Sequence, residues 1–112
     1  MPFIVSRVNQ RVSQDQQEKL REGLVEKIEQ TLGKPRDYIM LDLQEGSPLY
    51  VRGKNEPAAY IEANIYGANP AGFAKLSQEI TKMYEDILGI PANNVFINFQ
   101  DIPGFSINGN YM

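Results

Sequence analysis

The sequence predicts an α+β fold: a tandem β-α-β repeat forming a four-stranded mixed sheet with two antiparallel helices on one face. Two observations point there. The 112 residues split into halves, 1–56 and 57–112, that align without gaps. Each half carries one stretch of helical hydrophobic period set between strand-like stretches. A chain of this length supports one domain and hardly two, so 1–112 reads as a single domain of two pseudo-repeats.

At this offset Lys19 falls on Lys75, Leu20 on Leu76, Glu29 on Glu85, Leu32 on Leu88, Gly33 on Gly89, Pro35 on Pro91 and Gln44 on Gln100. The punctuation matches as well. Ser13 and Asn69 are the N-cap candidates of their halves. Ser13 has Gln16 three residues on, a capping-box pattern, and Asn69 is followed by Pro70 at the first helical position. Both helices stop at Leu-Gly-x-Pro, where glycine provides a left-handed cap and proline prevents continuation.

Residues 3–8 open the first half as a strand. The helix after Ser13 shows Leu20, Leu24, Ile28 and Leu32 on one face, and its charged residues form the solvated face. A strand follows at 39–43, with Ile39, Leu41 and Leu43 toward the helices. The second half repeats the order: a strand at 60–66, a helix with Phe73, Leu76, Ile80, Met83 and Ile87 on one face, and a strand at 95–99. In that last strand Val95, Ile97 and Phe99 face inward. Residues 105–107 could add one short strand. The far face carries Met40, Asp42, Gln44, Phe96, Asn98 and Gln100, partly apolar, which predicts oligomerisation.

Composition excludes much. Eleven Lys and Arg against fourteen Asp and Glu give a net charge of −3, which argues against a nucleic-acid partner. With no cysteine and no histidine, thiol nucleophiles, Ser-His triads and Cys- or His-ligated metals are ruled out. Asp42, Glu45 and Asp101 match no metal spacing. No segment approaches membrane-spanning length and the N-terminal apolar run is too short for a signal peptide. Cytoplasmic residence is the expectation, with signal-independent secretion left open.

A base must therefore be a carboxylate, lysine, tyrosine or the N-terminal amine. Pro2 is the first candidate, because removal of Met1 would leave a free secondary amine. An α-amine begins near a pKa of about 8, and burial or a nearby cation lowers it toward neutrality. The alternative is a common second residue without a role. Lys34, in the turn after the first helix, is the second candidate; otherwise it is a surface lysine favouring the helix dipole. The repeat sets Pro2 against Ala58 and Lys34 against Ile90, so the halves diverge at both positions. Pro57 is no second base, since its nitrogen is a tertiary amide. Residues 67–72 are glycine-containing but lack P-loop and dinucleotide spacing, and read as a helix cap.

Four segments taken together resemble the macrophage migration inhibitory factor family and its tautomerase relatives. They are the opening Met-Pro-Phe-Ile-Val, the turn and strand from Gly33 to Ile39, the stretch Glu56-Pro57-Ala58-Ala59, and the strand from Val95 through Asp101. The resemblance spans essentially the whole chain. It implies the tautomerase fold, a homotrimer with sites between subunits, and no cofactor. It also implies that Pro2 is the general base and that Lys34 holds the carboxylate of a small aromatic 2-keto acid such as phenylpyruvate. Tyr38, Tyr66 and Ile107 match pocket-lining positions, Asn98 an asparagine supplied by the neighbouring subunit, and Phe96 a position commonly held by tyrosine. The family's C-terminal tryptophan is absent. The Cys-x-x-Cys of animal cytokine members reads Ala58-Ala59-Tyr60-Ile61 here. The expected function is a keto–enol tautomerase, possible dopachrome turnover included. The alternatives are a cytokine-like binding protein with a vestigial site, whose receptor the sequence does not identify, and a purely structural oligomer.

Overall fold

A computed structural model describes residues 1–67 and 70–111. The first helix begins as its cap predicts. The Gln16 N–H donates to Ser13 Oγ at 3.1 Å and the Ser13 N–H donates to Gln16 Oε1 at 3.0 Å, a reciprocal capping box. Helix α1 (Gln14–Leu32) ends at Gly33, whose φ of 66° is open to glycine without a Cβ penalty. Helix α2 (Ala71–Leu88) ends the same way at Gly89, with φ 71°. Its expected cap, Asn69, lies outside the described residues. Pro70 stands just ahead of Ala71, already with helical dihedrals of φ −56° and ψ −23°, as its locked ring favours.

Four strands, β1 (Pro2–Val8), β2 (Met40–Gln44), β3 (Ala59–Tyr66) and β4 (Val95–Ile102), form one sheet in the order β2-β1-β3-β4. β1 runs parallel to β2 and β3 parallel to β4, while β1 and β3 pair antiparallel at the centre. Each β-α-β unit thus supplies a neighbouring parallel pair. β2 starts one residue later than expected because Arg36–Tyr38 wind into a 3-10 turn that Ile39 closes. β4 runs beyond Phe99 because β3 continues to pair with it as far as Ile102.

The tail holds a hairpin where a single short strand was expected. β5 (Ser106–Ile107) pairs antiparallel with β6 (Asn110–Tyr111) around Asn108 and Gly109, at φ 55° and 76°. Two successive positive φ values mark a type I′ turn, which Asn-Gly favours. Residues Val51 and Lys54 make the same antiparallel bridge around Arg52 and Gly53, at φ 52° and 75°.

Both helices cover one sheet face. Leu20, Leu24 and Ile28 of α1 join Leu76, Ile80, Met83, Tyr84 and Leu88 of α2 over Ile4, Val8, Ile61, Ala63 and Ile65. The expected inward residues Ile39, Leu41, Leu43, Val95, Ile97 and Phe99 pack against this core. Phe73 stacks on Phe99 with ring centroids 4.7 Å apart. A buried polar tie joins sheet and helix, Ser6 Oγ to the Tyr84 hydroxyl at 2.6 Å. On the opposite face, Met40 and Phe96 stand 64% and 52% exposed on the two edge strands. Among the described residues, no helix is long and apolar enough to cross a membrane.

Candidate active site

The site forms at the start of β1. Met1 and Tyr66 exchange two backbone hydrogen bonds, the Met1 amine to the Tyr66 carbonyl at 3.0 Å and the Tyr66 N–H to the Met1 carbonyl at 3.2 Å. Antiparallel pairs alternate between bonded and non-bonded positions. The next pair, Pro2 with Ile65, falls at a non-bonded position, so proline's missing N–H leaves no gap in this ladder. With Met1 in place, Pro2 is fully buried.

Lys34 reaches the same corner from the other side. It follows the α1 cap, and its ammonium donates to the Gly67 carbonyl at 2.8 Å. Gly67 has a φ of 67°, and a Cβ there would stand 3.5 Å from the Lys34 Nζ. Two cations therefore rest on successive carbonyls. Burial first, and the Lys34 charge second, hold the Met1 amine below its ordinary pKa of 8.0.

Tyr38 and Ile107 line a cavity of about 470 Å³ together with Met1, Asn108 and Asn110. An adjoining groove of about 510 Å³ shares Tyr38, Ile107 and Asn108 and adds Phe3, Met40 and Phe105. Tyr66, expected as a pocket-lining side chain, meets Met1 through its backbone and is not among the residues lining either space. Phe96 and Asn98 stand elsewhere, on β4, separated from β1 by β3. Phe96 borders a different groove with Tyr50, Val51 and Tyr60. Asn98 Nδ2 donates to the Tyr60 hydroxyl at 3.3 Å. Within one chain, then, Met1 links these positions: it precedes Pro2, its amine feels the Lys34 charge, and it lines the cavity with Tyr38 and Ile107, while Phe96 and Asn98 stand apart.

Sequence reasoning missed three contributors: the Gly67 carbonyl, Asn108 and Asn110. The Asn-Gly pair between Ile107 and Tyr111 was a readable hairpin signal for the last two. Nothing local pointed to the Gly67 carbonyl, which lies 33 residues from Lys34. Among the described residues, no group of three or more Asp or Glu could hold a metal ion.

A sequence profile of macrophage migration inhibitory factor (MIF) matches residues 1–111. The chain belongs to the MIF family. It is 32% identical over 84 residues to a macrophage migration inhibitory factor homolog of Trichuris trichiura, covering 70% of each chain. The MIF homologue of Prochlorococcus marinus is 32% identical, with 97% of each chain covered and a TM-score of 0.88. Leishmania major MIF2 superposes with a TM-score of 0.92 at 23% identity, over 100% of this chain and 97% of its own. MIF membership also places the chain in the tautomerase superfamily, and a trimer is typical of the MIF fold.

Proposed function

We propose that this MIF-family chain is a cofactor-independent keto–enol tautomerase of arylpyruvates. Its base is the Pro2 secondary amine, set free by removal of Met1. The observation that carries this reading is the place of the chain start beside Lys34: the Met1 amine, which directly precedes Pro2, and the Lys34 ammonium rest on the adjacent carbonyls of Tyr66 and Gly67. Burial and the Lys34 charge hold the Met1 amine below its ordinary value, and the same surroundings favour the unprotonated form of the Pro2 amine that follows it, the form a general base needs. Loss of Met1 also opens the space it lines and frees the Tyr66 N–H beside Lys34.

In the reaction the Pro2 nitrogen takes a proton from the carbon next to the ketone. The C–H electron pair forms the C=C bond, the C=O π pair moves to the oxygen, and the protonated Pro2 amine delivers its proton there, giving the enol and regenerating the base. The reverse sequence returns the keto acid. Nothing is oxidised or reduced, so no cofactor is required. Lys34 binds the substrate carboxylate, and the apolar groove with Phe3, Met40 and Phe105 receives the aromatic ring.

Phe96 and Asn98 join the site from a neighbouring subunit of a homotrimer. Support for this comes from the exposure of Met40 and Phe96 on the two edge strands, which leaves apolar surface for a second copy. A binding role with a vestigial site is the second reading, favoured by the phenyl ring of Phe96 where a hydroxyl would assist the chemistry. Mass spectrometry of the N-terminus together with a phenylpyruvate enolisation assay separates the two. A processed N-terminus with turnover supports the enzyme, and a retained Met1 removes its base.

A further inference from the structure

Lys34 and the N-terminal amine repel each other, so the chain must hold them together by other means. The connection that carries Lys34 is short and stiff. Pro35 has a fixed φ of −69°, and the Tyr38 and Ile39 N–H groups donate to the Pro35 and Arg36 carbonyls, each at 3.1 Å. Arg36 lies midway between Lys34 and Tyr38. Its guanidinium grips Glu29 with two donors, Nε to Oε2 at 3.2 Å and Nη2 to Oε1 at 2.9 Å. Nη2 also reaches Glu22 Oε1 at 3.2 Å. Among the described residues, every side-chain polar tie from this turn back to α1 is made by Arg36.

We propose that Arg36 is a positioning residue of the site: clamped on Glu29 and Glu22, it fixes the turn from which Lys34 and Tyr38 reach the N-terminal amine and the substrate. The proposal rests on the tautomerase reading above. A single exposed ion pair contributes little to stability. A two-pronged guanidinium–carboxylate contact is instead a directional device, and its planar fork sets distance and angle together. The turn is thus strung between two anchors, Arg36 on α1 and Lys34 on Gly67. Releasing the first lets Lys34 drift from the amine and from the carboxylate it binds.

The test uses two substitutions of opposite charge outside the core, Arg36→Met and Glu29→Gln, in the Met1-processed protein. For each, kcat and KM for phenylpyruvate, the thermal midpoint and the titration of the Pro2 amine by NMR are measured. Positioning predicts that both variants raise KM about tenfold, keep the thermal midpoint, and move the amine pKa upward as Lys34 withdraws. The double variant should be no worse than either single one. A purely electrostatic effect would instead move the amine in opposite directions, since one variant removes a cation and the other an anion. That outcome, or an unmoved amine and KM in both variants, overturns the proposal while leaving the tautomerase reading intact. An ordinary α-amine pKa in the unsubstituted protein would overturn the tautomerase reading itself.

Discussion

The Met1 amine and the Lys34 ammonium are bound by consecutive carbonyls, those of Tyr66 and Gly67, at 3.0 and 2.8 Å. This corner couples the start of β1, the end of β3 and the turn after α1, and it is where the lowered amine pKa arises.

Lys34→Ala should separate the two effects of that lysine. Loss of the cation raises KM for carboxylate-bearing substrates. It should also raise the Pro2 amine pKa, because the Lys34 charge lowers the Met1 amine at the same corner, second only to burial. The base works unprotonated, so the rising acid limb of kcat/KM moves to higher pH. A pH–rate profile with an unmoved acid limb would count against the coupling.

A composite site predicts complementation. Pro2→Gly and Asn98→Ala subunits, each nearly inactive alone, should regain activity when unfolded and refolded together. In randomly mixed trimers about a quarter of the sites combine an intact Pro2 with an intact Asn98. Activity no greater than that of the separate variants would show that Asn98 does not act across a subunit boundary.

The buried Ser6–Tyr84 pair sets a stability prediction. Tyr84→Phe removes a 2.6 Å hydrogen bond and leaves the Ser6 hydroxyl without its partner, a loss of about 1–2 kcal/mol in denaturant unfolding. Adding Ser6→Ala should recover part of it. Burial also pushes the Tyr84 hydroxyl from 10.0 up to about 12. Its folded pKa lies above its unfolded one, so its contribution is complete below pH 10.0 and is lost as pH rises toward about 12. The Tyr84→Phe variant should lack that part of the alkaline decline.

Much of the fold was legible because its signals are local. The Leu20–Leu24–Ile28 stripe, the Ser13–Gln16 capping box and the glycine stops each depend on residues within one or two turns. The alternation in β2 and β4 assigned the inward faces correctly for the same reason. The tail hairpin goes beyond the expected strand at 105–107 because its partner strand lies past the Asn108-Gly109 pair, whose two positive φ values make the type I′ turn. The site was less legible, because its geometry depends on distant pairings: Met1 meets Tyr66 across 65 residues and Lys34 meets Gly67 across 33. Composition narrowed the base to a few groups, and the family resemblance selected Pro2. The carbonyl corner itself emerges only when β1, β3 and the α1 turn are brought together.

The central claim is that the Pro2 amine, once Met1 is removed, is the base. Pro2→Gly keeps a small second residue, so processing continues while the prolyl ring is lost. With N-terminal processing verified by mass spectrometry and folding by circular dichroism, phenylpyruvate enolisation by the variant should fall about a hundredfold or more. Undiminished turnover in a processed, folded Pro2→Gly protein would contradict the account.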